Sequence, residues 1–144
     1  MIKSESFISI VLVVKNQTRQ LVDKLDQLMP YLDLRFSDYE VVIIDQRSND
    51  GIQSKLPHSL ATYQSIRHIR LSREVSSDVA LAAGLENVIG DIVINLNLEQ
   101  DKVEIIQALV EESLQANDIV VCVSKRVNSF LYRKFKFLFN WALK

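Results

Sequence analysis

The chain is poor in the residues that punctuate or staple a fold. Its 144 residues include three glycines, two prolines, two histidines and one cysteine. That scarcity excludes the common phosphate cradles. A dinucleotide-binding turn needs glycines after the first strand so that backbone can approach a pyrophosphate, and a Walker-type loop needs Gly followed by Lys-Ser/Thr. Here the first apolar run leads into Lys15-Asn16-Gln17, with no glycine and no carboxylate cluster for a phospho-acceptor site. One cysteine rules out an intramolecular disulfide and fits a reducing compartment. Cys122 lies in the apolar run Ile119–Val123, where a buried thiol is the natural reading. His58 and His68 lack Cys/His partners at metal-ligand spacing and read as surface or structural residues. Ser4 and Glu5 precede an apolar run, Phe7–Val14, too short for a leader. No run approaches the roughly 18–20 apolar residues of a spanning helix. The expectation is a cytoplasmic protein.

What is present is globular: 48% hydrophobic and 24% charged residues, at a length that one domain with a real core would use. A net charge of −1 gives no reason to expect nucleic acid, but the charge is unevenly placed. From Lys125 onward there are six basic residues and no acidic one, against 11 basic and 18 acidic before it. This predicts two parts, a domain over 1–124 and a basic helix over 125–144.

Along the first part, strands and helices alternate. Strands are predicted at Phe7–Val14, Tyr39–Ile44, Ile66–Leu71, Asp91–Leu96 and Ile119–Val123. Helices are predicted at Gln17–Leu32, Gly51–Leu60 (broken near Pro57), Ser77–Val88 and Asp101–Gln115, with a last one from Asn128. Such alternation implies parallel pairing, right-handed crossovers and helices on both faces, so the fold class is α/β: a three-layer, doubly wound, mainly parallel sheet. The most informative segment is YEVVIIDQRSNDG, Tyr39–Gly51. Val41 to Ile44 form a continuous β-branched run suited to a strand covered on both faces. Asp45 ends it, at the edge where open α/β sheets bind ligands. Ser48, Asn49 and Asp50 serve equally well as caps for the next helix, with Gly51 easing the turn.

Three blocks in order resemble the inverting family-2 glycosyltransferases of GT-A fold, and among them the polyprenyl-phosphate sugar transferases. ISIVLVVKNQ (8–17) resembles V-x-V-V-I-P-V-Y-N-E, keeping Asn16, with Val13 for Pro, Lys15 for Tyr and Gln17 for Glu. YEVVIIDQRSNDG resembles Y-E-I-I-F-V-D-D-G-S-T-D-G, keeping Asp45, Ser48, Asp50 and Gly51, with Gln46 and Arg47 at the second Asp and the Gly. LSREVSSDVALAAGLENVIGD (71–91) resembles L-S-R-N-x-G-x-x-x-A-L-x-A-G-L-x-x-A-x-G-D, keeping Arg73, Ala80, Leu81, Ala83, Gly84, Leu85, Gly90 and Asp91, with Glu74-Val75-Ser76 at Asn-x-Gly.

The resemblance implies the Rossmann-like nucleotide-binding half of a GT-A fold and a nucleotide sugar, UDP- or GDP-linked, as ligand. It assigns nucleotide contacts to Val14, Asn16 and Gln17 in the first block, and to Asp45, Gln46 and Ser48 in the second. It adds Arg73 and Ala83 from the third block and Asn97 after the fourth strand. Asp45 is expected to accept a hydrogen bond from a pyrimidine base. The family's Asp-x-Asp, which holds Mg²⁺ or Mn²⁺ against the donor diphosphate, falls on Asn97-Leu98-Glu99, leaving Glu99 as the expected, weakened metal ligand. The family's catalytic base lies beyond this stretch of sequence, and the catalytic residues stay unassigned.

In the tail, Arg133, Lys136, Asn140 and Lys144 share one helical arc opposite Leu131, Phe135, Leu138 and Phe139. A basic helix of this kind fits an anionic membrane surface, and packing as core fits its apolar side. Two functional readings stay open. One is a glycosyltransferase-like domain that binds a nucleotide-diphosphate sugar for transfer to a polyprenyl phosphate, peripheral at the inner face of the membrane, alone or as a homo-oligomer. The other is a non-catalytic relic acting as a binding or membrane-associated module.

Overall fold

Two mainly apolar, buried strands make the middle of the sheet, and everything else is arranged around them. In a computed structural model, which describes residues 4–115 and 119–120, these are β1 (Ile8–Val14) and β2 (Tyr39–Asp45). They pair in parallel from Ile8↔Tyr39 to Val14↔Asp45. β3 (Ile66–Arg70) joins the outer side of β2, and β4 (Ile92–Asn95) the outer side of β1, giving the order β3-β2-β1-β4, all parallel. Helices α1 (Thr18–Arg35), α2 (Ile52–Thr62), α3 (Ser77–Leu85) and α4 (Ile105–Leu114) fill the crossovers. The α/β class and the parallel sheet read from the sequence are what the structure has.

Alternation of side chains along β1 and β2 sorts the core into two layers. Ile8, Ile10, Leu12 and Val14 face one side with Val41 and Ile43. There they meet Leu21, Leu25, Leu28 and Leu32 of α1, Ile52 and Leu56 of α2, and Ile106 and Val110 of α4. Val11, Val42 and Ile44 face the other side, where Ala80 of α3 packs on them. Among the described residues, three helices therefore cover one face and one covers the other.

Several boundaries differ from the sequence expectation for identifiable reasons. Pro57 does not break α2, which runs through it to Thr62. Buried Ile52 and Leu56 hold the helix on the sheet, and that packing offsets the hydrogen bond a proline cannot donate. α1 likewise contains Pro30 and extends to Arg35. α3 ends at Leu85, where the Asn87 side-chain Nδ2 donates to the Ala83 carbonyl at 2.8 Å. α4 starts at Ile105 rather than Asp101, because the chain after β4 first makes a side-chain-braced turn, described below. Ile119 and Val120, the start of the expected fifth strand, carry no strand structure, and the rest of that strand and the basic helix over 125–144 lie outside the described residues.

Near the opposite, N-terminal edge of the sheet, a buried polar brace ties three strands to the turn before β4. Glu40, 4% exposed, accepts hydrogen bonds from Ser9 Oγ at 2.7 Å, Ile89 N at 2.8 Å and Arg67 at 2.9 Å. Burial pushes its carboxyl up, but these three donors outweigh it and hold the group below the usual carboxylate range. Gly90 fits against the same brace: a Cβ there would stand 2.6 Å from Ser9 Oγ and 2.8 Å from the Phe7 carbonyl.

Gly84 is the equivalent close approach between α3 and the sheet. A Cβ would fall 2.7 Å from Val11 Cγ1 and 3.2 Å from Ile44 Cγ1, both short, stiff side chains inside the core. Gly84→Ala is therefore expected to destabilise the fold by about 1–3 kcal/mol through overpacking, despite the better helix propensity of alanine. Urea denaturation of the two proteins measures it; equal midpoints would show that α3 can shift without loss.

Candidate functional site

The C-terminal ends of β1 and β2 lie side by side, so the loops that follow them meet and share hydrogen bonds. Gln46 N donates to the Val14 carbonyl at 2.9 Å, extending the ladder one step past the strands. Beyond it, Asn16 N donates to Ser48 Oγ at 2.9 Å, and Asn49 N returns a bond to Asn16 Oδ1 at 2.9 Å. Asp50 reaches across to begin α1. Its carboxylate accepts from Thr18 N at 2.7 Å and from Thr18 Oγ1 at 2.5 Å, replacing the cap that Gln17 does not provide. Burial raises the Asp50 carboxyl, but the two Thr18 donors outweigh that and hold it below the usual range. The turns need left-handed backbone at Asn16 (φ 51°) and Arg47 (φ 57°). Asparagine tolerates that region; arginine does not favour it.

Asp45 is the inner pin of this arrangement. Its side chain is wholly buried; Oδ1 accepts from Ser48 N at 2.7 Å, and Oδ2 faces His68 Nε2 at 3.5 Å and Arg70 Nε at 3.8 Å. Neither Asp45 Oδ2 nor His68 Nε2 has a hydrogen-bond partner among the described residues. The carboxylate expected to meet a base is thus turned inward, toward β3, because the turn amide at Ser48 and the basic side chains of β3 hold it there.

Between these loops, the end of β4 and the start of α3 lies a cleft of about 500 Å³. Of the residues assigned to nucleotide from the sequence, Gln17, Gln46 and Asn97 line it. Val14 and Ser48 are buried behind it, Asn16 and Arg73 are exposed outside the lining, and Ala83 lies further along α3. The cleft also contains residues that the sequence reading did not select: Lys15, Glu74, Ser76, Ser77 and Asp78. Ser76 caps α3, its Oγ accepting from Val79 N, so the helix opens onto the cleft. The Ser-Ser-Asp at the helix start was the available signal. Lys15 Nζ pairs with the Glu74 carboxylate, joining the β1–α1 loop to the β3–α3 loop. That contact spans 59 positions and has no sequence signature.

One side-chain oxygen of each of Asn97, Glu99 and Asp101 is bonded locally. Asn97 Oδ1 accepts from Glu99 N at 2.9 Å and Gln100 N at 3.1 Å, an Asx turn, while Asp101 Oδ2 accepts from Asn97 N at 2.8 Å. Glu99 Oε1 accepts from Gln17 Nε2 at 3.0 Å. Among the described residues no group of three His, Cys, Asp or Glu is placed to hold a metal ion, and Glu99 stands without a second carboxylate at the Asp-x-Asp positions. Of the Asp-x-Asp positions only Glu99 offers a carboxylate, so fewer anionic oxygens face a divalent cation here than in the family's pattern.

A parallel sheet in this order, with a polar cleft beyond the ends of β1, β2 and β4, is an open α/β domain with its cleft at the edge where such sheets bind ligands. The profile of Glycosyl transferase family 2 matches residues 9–141, and the chain belongs to that family. Curated relatives include an undecaprenyl-phosphate 4-deoxy-4-formamido-L-arabinose transferase of Aeromonas hydrophila, 30% identical over 88% of this chain and 40% of its own length. The enzyme of the same description from Shewanella sediminis is 32% identical over 96% of this chain and 43% of its own length. The chain thus spans about two fifths of these relatives. Among solved structures, a mannosyltransferase of Pyrobaculum calidifontis in complex with GDP-Man and Mn²⁺ superposes with a TM-score of 0.70 at 19% identity, over 85% of this chain and 36% of that one. That likeness shows the GT-A fold. No helix among the described residues is long and apolar enough to cross a membrane.

The loop brace generates two opposite expectations. Asp50→Ala removes the cap of α1 and is expected to cost about 1 kcal/mol at neutral pH. Because the folded-state carboxyl lies below its unfolded value of 3.8, the contribution is present above that value and lost as pH falls through the folded one. The difference between the proteins should therefore shrink in acid denaturation series. Arg47→Gly relieves left-handed backbone and is expected to raise stability by about 1 kcal/mol. Chemical denaturation checks both, and a loss of stability in the glycine variant would show that the 3.5 Å bond from Arg47 Nη1 to the Ser72 carbonyl outweighs the strain.

Proposed function

We propose that the cleft binds the nucleoside-diphosphate part of a nucleotide sugar, and that this chain is the donor-binding portion of a transferase acting on a polyprenyl phosphate. The observation that carries the reading is the position of the cleft at the ends of β1, β2 and β4, with Gln17, Gln46 and Asn97 in its wall. Family membership and the acceptor named for the curated relatives support the reaction class. Asp45 then serves the nucleotide indirectly, by fixing the loop that carries Gln46, rather than by touching the base. The basic stretch from Lys125 to Lys144 is the candidate for contact with anionic lipid, which salt-sensitive co-sedimentation with anionic vesicles tests.

A second reading, a domain that binds without transferring, is favoured by one feature. The Asn97 carboxamide oxygen serves the turn and is not presented to a ligand.

Calorimetric titration of the chain with UDP and with GDP is expected to show saturable binding of one of them in the millimolar range or tighter. Heat changes that match buffer dilution for both nucleotides, with and without Mn²⁺, would overturn the donor-site reading.

A further inference from the structure

The cleft carries a charge pattern unlike that of a metal-held diphosphate site. Among the described residues its lining contains two carboxylates, Glu74 and Asp78, and a single cation, Lys15. A diphosphate entering this space needs a positive partner. After β4, Asn97 Oδ1 is bonded to two turn amides, Asp101 Oδ2 to a third, and Glu99 Oε1 to the Gln17 carboxamide. Lys15 stands opposite, on the loop after β1, with its side chain 42% exposed and its ammonium paired to Glu74, itself 63% exposed. So exposed a pair is weakly held and exchanges partners readily. The α3 N-terminus, capped by Ser76, opens onto the same space and favours negative charge.

Resting on the nucleoside-diphosphate reading above, we infer that the diphosphate is held by Lys15 in place of a divalent cation, and that Glu74 competes with it for the ammonium. An ammonium is a compact charge with three donors and binds phosphate oxygens well. In the resting site Glu74 occupies it. Binding exchanges one carboxylate for the phosphate oxygens and releases Glu74 to solvent.

The test is calorimetry on the full chain with whichever of UDP or GDP binds, in EDTA and in Mn²⁺, for the wild type, Lys15→Met, Lys15→Arg and Glu74→Gln. The wild type should bind equally, within about twofold, in EDTA and Mn²⁺. Lys15→Met should weaken binding about tenfold, the scale of a charge-assisted hydrogen bond, and Lys15→Arg should keep most of it. Glu74→Gln should tighten binding about threefold, since a competitor is removed. Opposite signs are the decisive result, because a pair with only a structural role would weaken binding in both variants alike. Tenfold tightening by Mn²⁺, or an unchanged affinity in Lys15→Met, overturns the inference while leaving the donor-site reading in place. Absence of binding by the wild type under both conditions overturns the donor-site reading and this inference with it.

Discussion

The arrangement of the cleft depends on the hydrogen bonds between the loops that leave β1 and β2. Parallel strands bring two chain exits to one edge but do not fix the loops beyond it. Here Asn16, Ser48 and Asp50 do so, with Asp45 beneath them, through bonds of 2.5–2.9 Å that pass repeatedly from one loop to the other. Because Asp50 caps α1 from the neighbouring loop, the start of that helix and the turn after β2 form as a unit. The Lys15 and Gln17 side chains leave the backbone on either side of Asn16, and Gln46 precedes the strained Arg47, so the wall of the cleft inherits its geometry from this brace. Loss of a member leaves its partners to water where the brace is exposed, as around Asp50, and costs more where it is buried, as at the Ser48 amide on Asp45.

A second set of contacts brings α3 to the sheet. Gly84 lets the helix approach Val11 and Ile44 at a distance no side chain would allow, and Gly90 lets the chain pass Ser9 on its way into β4. Both glycines act through what they lack, and neither has a positive φ. The approach at Gly84 sets the height at which the α3 N-terminus, with Ser76, Ser77 and Asp78, stands over the ends of the strands. Helix packing and cleft shape are in this sense one property.

The fold was readable from its pattern because the two central strands are buried on both faces and carry continuous apolar runs, Ile10–Val14 and Val41–Ile44. Helix boundaries were less so. Pro57 looks like a breaker until the burial of Ile52 and Leu56 is known, and Asp101 looks like a helix start until Asn97 is seen to bind the amides that follow it. At the site, a strand-end carboxylate such as Asp45 reads equally as a ligand or as a pin. Its full burial, set by Ser48 N on one side and by His68 and Arg70 on the other, depends on β3 and on a turn that sequence does not orient. The pairing of Lys15 with Glu74 joins loops far apart in the chain and follows only from the strand order.

Fidelity to the family pattern and contact with the cleft separate along the chain. Residues that keep the pattern are mostly those that build: Asn16, Asp45, Ser48 and Asp50 in the brace, Ala80 and Gly84 under α3, Gly90 and Asp91 at the entry to β4. Residues that depart from it are mostly those that line the cleft: Val13, Lys15, Gln17, Gln46, Glu74, Ser76, Asn97. Stability alone retains the buried building positions whether or not a ligand binds. Departures gathered in the wall change the chemistry of one place on that retained frame. They remove carboxylates at Gln17, Gln46 and Asn97 and introduce an ammonium at Lys15 together with a carboxylate at Glu74, so the new charges of the wall face one another as a pair between two loops.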